Sequence, residues 1–395
     1  MSGACPNAGG STMRLSDRIQ NVRASSTVAF NTKATEMKRA GVNVIAMTAG
    51  EPDFQPPEHV FDAARDAIAK GLTKYTPAEG SMDLREAICA KHARENGWTA
   101  APNEVIVGTG GKQVLYNAIQ AMIDPGDEVI LIAPYWVSYP AQVEIAGGVV
   151  VPVVARAEDG FVPDPEAVAA AFTDKTRVLI VNSPSNPTGA VYPPEVVRAL
   201  VDLARERGVW LISDDLYEHL IYEGEFTPAQ PLYPEGTLTV HGASKGYALT
   251  GWRIGWGVGP QPLIKAMTRL QGQVTSGPNS LAQHATAVAL NEVEKTAAFQ
   301  AMTREAYMER RAILVEGLNR LGLPTAMPRG AFYAMADLTS IDTDEGTAAL
   351  RLLEEAHVAV VPGTDFLAPG FARFSYATST ENVHEALARI EKLLG

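Results

Sequence analysis

One short segment combines an amine with groups that bind phosphate. Ser244 and Lys245 are adjacent, and Arg253 lies eight positions after Lys245. A lysine amine can form a Schiff base with an aldehyde cofactor, and a nearby hydroxyl and guanidinium can hold the phosphate of such a cofactor. Alone, the segment is also compatible with a glycine-containing loop that has a surface lysine and a structural arginine, although this interpretation is the less favoured one. The surrounding elements must decide between these interpretations.

Short apolar, β-branched runs alternate with helical stretches between about residues 100 and 260. Helices with a period near 3.6 are expected at 112–123 and 195–207, the second opened by Pro193 and Pro194. This alternation predicts a largely parallel sheet covered by helices on both faces, the core of an α/β protein. The expected strands are 105–107, 128–132, 148–151, 177–181, 209–213, 237–240 and 254–258.

The chain is long enough for two cores. Longer helices and a few strands follow residue 260, and the stretch 28–45 has the pattern of a helix followed by a strand. The later helices are expected at 262–273, 278–290, 295–321 and 381–394, and the later strands at 332–336, 358–361 and 372–376. We predict an N-terminal arm (1–27), a large cofactor-binding α/β domain (56–295) and a discontinuous small α+β domain (28–55 and 296–395).

Composition excludes several classes of function. The net charge of −12 argues against nucleic-acid binding, and no run of about 18 apolar residues predicts a transmembrane helix. The first twelve residues lack the apolar core of a secretory signal. Cys5 and Cys89 are too few for a disulfide framework, which fits the cytoplasm, and the histidines lack metal-ligand spacing.

Reactive side chains follow five of the expected strands. Ligands of parallel sheets bind beyond the carboxyl ends of the strands, so these side chains are expected at one edge. They suit a phosphate, a planar ring, a cationic ring nitrogen and an aldehyde, although each signal alone is common in ordinary loops. In chain order they are Gly110, Gly111 and Lys112; Trp136; Asn186; Asp214 and Tyr217; and Ser244 and Lys245.

At this point the chain resembles the class I aminotransferases, which are pyridoxal-phosphate (PLP) enzymes of fold type I. It is most similar to the bacterial aspartate aminotransferase subgroup with GGKQ in the phosphate-binding turn. The resemblance extends from about Leu15 to Leu394. Its motifs are AGEPDF (49–54), KYTP (74–77), GGKQ (110–113), PYWVSYP (134–140), NSPSNPTG (182–189), DDLYEH (214–219), the Lys245 segment and RFSYAT (373–378).

The resemblance implies a role for each residue that contacts the cofactor ring. Lys245 would form the Schiff base and move a proton between the substrate Cα and the cofactor C4′. Asp214 would keep the ring nitrogen protonated. Tyr217 and Asn186 would hydrogen-bond the ring oxygen O3′, and Trp136 would stack on the ring and border the substrate.

The resemblance also implies how the phosphate and the substrate are held. The phosphate would be bound by Gly110, Gly111, the backbone N–H of Lys112, Ser244 and Arg253, and by Tyr75 of a neighbouring subunit. The enzyme would therefore be a homodimer with shared sites. The substrate α-carboxylate would be bound by Arg373, assisted by Gly50 and Asn186. The Ala133–Pro134 and Asn186–Pro187 bonds are expected to be cis, as in relatives.

Substrate preference is the least determined property. Relatives of another subgroup use an arginine of the second subunit near 273–279 for a distal carboxylate, and this chain has none there. In the GGKQ subgroup the lysine takes that role, which here is Lys112, with Ser276 as a possible assistant. We expect ping-pong transfer from aspartate to 2-oxoglutarate. The alternatives are a broad-range, aromatic or prephenate aminotransferase, a PLP-dependent β-lyase, and a non-catalytic module of regulators, which an acidic chain without a winged helix disfavours.

Overall fold

The computed structural model describes residues 13–20, 22 and 26–395. The predicted N-terminal arm therefore lies largely outside the described residues. The helices among them are α1 (Asp17–Gln20), α2 (Ser26–Arg39), α3 (Glu58–Ala69), α4 (Met82–Lys91), α5 (Gly111–Met122), α6 (Ser138–Ile145), α7 (Pro165–Ala170), α8 (Pro194–Arg207), α9 (Ala243–Gly246), α10 (Gln261–Val274), α11 (Ser280–Asn291), α12 (Val293–Arg320), α13 (Glu345–Glu354) and α14 (Thr380–Leu394). Within the described ranges, none of these helices is long and apolar enough to cross a membrane.

A seven-stranded sheet forms the centre of the molecule. Its order is β2-β8-β7-β6-β5-β3-β4, and β8 alone runs antiparallel to its neighbours, which confirms the predicted, mostly parallel sheet. The strands of the described chain are β1 (Ile45–Ala46), β2 (Val105–Thr109), β3 (Glu128–Ala133), β4 (Val149–Val154), β5 (Thr176–Asn182), β6 (Trp210–Asp214), β7 (Thr237–Gly242), β8 (Ile254–Val258), β9 (Tyr333–Asp337), β10 (Val358–Ala359), β11 (Val361–Pro362) and β12 (Phe371–Ser375).

Helix α8 shows how the sequence specifies one covering layer. It begins with proline in its first position, where no backbone N–H is needed, and is followed by Gly208 at φ 64°, which suits a left-handed C-cap. Its buried residues Val197, Leu200, Val201 and Ala204 recur at helical spacing on one face. That face packs in an apolar cluster with strand residues of the sheet.

Smaller sheets connect the two ends of the described chain. Strand β1 pairs in parallel with β10, and β11, β12 and β9 form a separate antiparallel sheet. The single strand expected over 358–361 is therefore wrong, because β10 and β11 join different sheets on either side of Val360. The pairing of β1 with β10 supports a discontinuous second domain, and its boundaries stay a prediction.

The parallel register brings the carboxyl ends of β2, β3, β5, β6 and β7 to one edge of the central sheet. Asn182 at the end of β5 lies opposite Asp214 at the end of β6. Asp214 in turn lies opposite Val240 of β7, a few residues before Lys245. The peptide bonds Ala133–Pro134 and Asn186–Pro187 are cis as expected, and Ser183–Pro184 is cis as well. Helices α3, α4 and α13 were not predicted.

We predict that Gly255→Ala destabilises the protein. A Cβ at Gly255 would lie 2.1 Å from the backbone nitrogen of Gly111 and 2.5 Å from the carbonyl carbon of Gly110, so backbone must move. Overpacking of this kind costs about 1–3 kcal/mol in free energy of unfolding, measurable by urea denaturation. Gly251→Ala is the matched control, since nothing lies within 4 Å of its added Cβ. Equal stability of the two variants would contradict the close approach of β8 to the turn at Gly110 and Gly111, between β2 and α5.

Candidate active site

A cleft of about 790 Å³ opens at the carboxyl edge of the central sheet. It brings together most of the residues that the sequence predicted for the site. The predicted residues that line it are Gly50, Gly111, Lys112, Trp136, Asn186, Asp214, Tyr217, Ser244, Lys245, Arg253 and Arg373. Gly110 lies directly behind this lining, next to Arg253. Tyr75 is 95% exposed and does not line the cleft of its own chain.

Asp214 is a buried carboxylate at the end of β6, only 4% exposed. The hydroxyl of Tyr139 donates to its Oδ2 at 2.6 Å. Burial raises the pKa of Asp214 from 3.8 to about 6, although the Tyr139 hydrogen bond, the Leu216 N–H and the charge of Lys245 act in the opposite direction. A cationic group placed against this carboxylate would be strongly favoured, because it would offset the cost of burying the charge.

Lys245 lies in α9, immediately after β7, and its amine points into the cleft. Its Nζ donates to the carbonyl oxygen of Gly50. Burial lowers the pKa of Lys245 to about 8, with further lowering by the positive charges of Arg373 and Arg253. A fraction of the amine is therefore uncharged near neutral pH, as a nucleophile or a general base requires.

The turn between β2 and α5 fits a phosphate. The first N–H groups of a helix have no partner within the helix and favour an anion. Gly110 has φ 79°, and a Cβ there would lie 2.6 Å from Nη2 of Arg253, so glycine is needed for the guanidinium to approach the turn. Ser244 borders the same part of the cleft. The donors present suit a phosphate group.

Arg373 is a buried cation on β12, 3% exposed. Its guanidinium donates to Asn186 Oδ1 at 2.9 Å and to the carbonyl oxygen of Thr48 at 3.0 Å. It lies 4.4 Å from the ring centre of Tyr333. Its Nε has no hydrogen-bond partner, and no carboxylate within the described part of the chain pairs with it. A carboxylate ligand would satisfy this arginine.

Three aromatic residues and a lysine complete the lining of the cleft. Lys112 Nζ lies 4.9 Å from the ring centre of Trp136, and burial together with the charge of Arg253 lowers the pKa of Lys112. The Tyr217 hydroxyl is 2.9 Å from the hydroxyl of Tyr333. The cleft thus offers an aromatic face at Trp136, a phenol at Tyr217, and at Lys112 a cation in addition to Lys245, Arg253 and Arg373.

Sequence reasoning missed three residues that position the site. Tyr139 follows Trp136 by three residues, a helical spacing that could have indicated a shared location. Asn182 ends β5 and donates to the Asp214 carbonyl oxygen at 2.8 Å, while its Oδ1 accepts from the backbone N–H of Asn186 at 2.9 Å. Tyr333 had no sequence signal, because its contacts depend on residues far along the chain.

Together these groups suit a planar aldehyde that carries a phosphate and a ring nitrogen. The phosphate fits the turn at the start of α5, and the ring nitrogen fits against Asp214. The aldehyde carbon fits at Lys245, and Arg373 is left for a carboxylate of a second molecule. The residues present therefore fit PLP as the resident group.

Comparison with known proteins gives consistent matches. The model of the family described as aminotransferase class I and II matches residues 42–390. An aspartate/prephenate aminotransferase of Thermus thermophilus is 56% identical, covering 96% of this chain and 99% of the relative. One from Cereibacter sphaeroides is 48% identical, covering 95% and 98%. The structure of Thermus thermophilus aspartate aminotransferase with maleate has a TM-score of 0.95, 55% identity, and coverage of 97% and 100%.

We predict that Asp214→Asn stabilises the cofactor-free protein at neutral pH. The raised pKa of Asp214 means that the folded state resists ionisation, so stability is lost as pH rises from about 4 through about 6. The full cost, reached above pH 6, is about 3 kcal/mol. Urea unfolding of both cofactor-free proteins should show a gap at pH 7.5 that closes near pH 4. Equal free energies of unfolding for the wild type and the variant at pH 7.5 would refute the destabilisation by ionised Asp214.

Proposed function

The chain belongs to the class I and II aminotransferases, which use pyridoxal 5′-phosphate, and on that premise we propose that it transfers the α-amino group of L-aspartate to 2-oxoglutarate. The buried guanidinium of Arg373, which lacks a carboxylate partner among the described residues, carries this proposal. Both substrates have an α-carboxylate for Arg373 and a second carboxylate for another cation. In a ping-pong cycle the two substrates use this site in turn.

PLP, when bound, supplies an aldehyde for amines and a protonated ring that withdraws electrons from the substrate Cα. Asp214 would hold the proton on the ring nitrogen, because a cation beside it would offset the cost of burying its carboxylate charge. Trp136 would stack on the ring. Tyr217 and Asn186 would donate to the ring oxygen O3′; the Asn186 Oδ1 already accepts from Arg373, which leaves its NH₂ group for this bond.

The phosphate is bound at the turn that precedes α5. Gly110 and Gly111 keep the turn narrow, the N–H of Lys112 donates, and the side chains of Ser244 and Arg253 complete the set in this proposal. Hydrogen bonds from helix N-terminal N–H groups and from a guanidinium are the strong, charge-assisted kind.

The proposed enzyme is a homodimer in the cytoplasm. The almost complete exposure of Tyr75 in the single chain supports a role in the neighbouring subunit, where its hydroxyl would reach the phosphate. The chain's two cysteines support the location. Light scattering at micromolar concentration measures the oligomeric state.

With PLP bound, Lys245 would be the base that transfers a proton between the substrate Cα and C4′ of the cofactor. A pKa of about 8 would let this amine accept a proton near neutral pH and return it. The Gly50 carbonyl oxygen accepts from this amine within the cleft that Arg373 also lines. Fixing the α-carboxylate with Arg373 orients the Cα–H bond towards this amine.

Lys112 is the proposed reader of the second carboxylate. Its ammonium lines the cleft and lies 4.9 Å from the ring centre of Trp136. Lysine is a point charge without a planar fork, so it accommodates carboxylates at more than one distance. Prephenate is therefore the second candidate substrate: it also carries a second carboxylate, and relatives in Thermus thermophilus and Cereibacter sphaeroides bear its name.

A half-reaction panel tests the proposed function. The PLP form is mixed with single amino acids, and the loss of its visible absorbance is followed by stopped-flow spectroscopy. Aspartate and glutamate should react fastest. Adding 2-oxoglutarate or prephenate should then restore the visible absorbance, because each 2-oxo acid takes up the amino group. Preferential reaction with phenylalanine would replace this proposal by an aromatic aminotransferase, and release of free ammonia would replace it by a β-lyase.

We predict that Lys245→Ala abolishes covalent capture of the cofactor. Borohydride reduction fixes an aldehyde to the amine with which it has condensed, and Lys245 is the amine that points into the cleft. Intact-protein mass spectrometry should show the added cofactor mass in the wild type and in Lys175→Ala, an exposed control, but not in Lys245→Ala. Capture that persists in Lys245→Ala would refute the central assignment.

We predict that Lys112→Met lowers kcat/KM for aspartate by about 10- to 100-fold, as expected for loss of a hydrogen bond to a charged group. Methionine keeps an apolar stem over Trp136 and removes only the charge. The value for phenylalanine should change less than about threefold. Arg373→Ala is the companion variant and should reduce both substrates alike. Equal losses in Lys112→Met would show that Lys112 does not read the second carboxylate.

A further inference from the structure

Two buried phenols meet behind the proposed cofactor position. Tyr217 Oη and Tyr333 Oη are 2.9 Å apart, and the rings contact each other edge to face with centres 5.8 Å apart. Tyr333 is fully buried and Tyr217 is 4% exposed. Among the described residues, each hydroxyl has the other as its hydrogen-bond partner. Tyr333 was not among the residues expected at the site.

The small sheet places Tyr333 beside the arginine that reads the substrate. Tyr333 begins β9 and Arg373 lies on β12, where it pairs with Met335. Because side chains alternate along a strand, Tyr333 and Met335 share one face, and Arg373 is the diagonal neighbour of Tyr333 on that face. The guanidinium carbon lies 4.4 Å from the Tyr333 ring centre, which is a cation–π contact.

The two hydroxyls have only two protons to distribute. Burial raises the pKa of Tyr217 and of Tyr333, so both phenols are neutral near pH 7. One proton lies in the shared hydrogen bond, and the donor of that bond cannot donate elsewhere. Tyr217 lines the cleft and faces the ring oxygen in the proposed function, so its own proton is committed there. Tyr333 must then be the donor of the shared bond.

We propose that Tyr333 is a positioning residue with two effects: its hydroxyl directs the Tyr217 proton into the cleft, and its ring supports the Arg373 guanidinium. This inference rests on the proposed function. Donation to Tyr217 makes Tyr217 a stronger donor, because hydrogen bonds in a chain polarise one another. A single side chain of the small sheet thereby serves both the cofactor ring oxygen and the substrate carboxylate.

We predict that Tyr333→Phe shifts the pH titration of the cofactor's visible absorbance upward by about half a pH unit. Weaker donation from Tyr217 leaves more negative charge on the ring oxygen, and the proton shared with the Lys245 nitrogen is held more tightly. Because the ring stays, amino-acid affinity should change less than about twofold. The titration needs no substrate and no turnover.

A double mutant separates this effect from a general structural change. Tyr217→Phe should raise the titration midpoint by about one unit, and adding Tyr333→Phe should change it no further. Tyr376→Phe is the matched control: it removes another buried phenol, which donates to the Ala331 carbonyl oxygen at 3.3 Å, and should leave the midpoint unchanged. Additive shifts in the double mutant, or no shift in Tyr333→Phe, would overturn the inference.

The ring effect has its own variant. Tyr333→Leu should weaken every amino acid by roughly fivefold without changing selectivity, because it removes the aromatic face beside Arg373. Thermal melting and cofactor content establish that each variant is folded and loaded. If the loaded wild type shows no visible Schiff-base absorbance at any pH, the proposed function fails. If the wild type titrates and Tyr333→Phe does not shift it, only the role of Tyr333 fails.

Discussion

The cost of burying charge in one cleft is the constraint that the rest of this structure must meet. Asp214, Lys245 and Arg373 lie within one cleft. Burial raises the pKa of Asp214 and lowers the pKa of Lys245 and Arg373, so it favours the neutral form of each side chain. Their partners in the folded chain are mostly neutral: the Tyr139 phenol, the Gly50 carbonyl and the Asn186 amide. The protein alone leaves these charges only partly compensated, and in the proposed function the cofactor and the substrate carry the complementary ones.

A second group of buried charges stabilises the segment of the chain that contains Asp214. Glu218 follows Tyr217 directly and pairs with Lys91 of α4, which is fully buried. Burial opposes ionisation of Glu218, but the charge of Lys91 and the nearby imidazoles outweigh it, so its pKa lies well below the ordinary value. His241 lies 3.1 Å from the same carboxylate. Breaking such a pair costs several kcal/mol, which holds the segment from Asp214 to Glu218 against α4.

The sequence predicted the residues that line the cleft better than the residues that position them. Strand alternation sufficed to place Lys112, Trp136, Asp214 and Lys245 together, because parallel strands end at one edge. The residues that position these side chains depend on contacts between distant parts of the chain. Tyr139 and Asp214 are 75 residues apart, and Tyr217 and Tyr333 are 116 residues apart. No local pattern encodes the Tyr217–Tyr333 pair, and for Tyr139 the only local signal is its spacing of three residues from Trp136. The division of 358–361 between two sheets was missed for the same reason, since pairing partners decide it.

Substrate and cofactor contacts originate from different sheets. Arg373 belongs to the three-stranded sheet of β9, β11 and β12, whereas Asp214 and Lys245 follow strands of the seven-stranded sheet. In the proposed function, an amino acid held between Arg373 and the cofactor would therefore contact side chains of both sheets. Its affinity would depend on how the two sheets are placed relative to each other. Substitutions distant from the cleft that change the packing between these sheets would then change substrate binding.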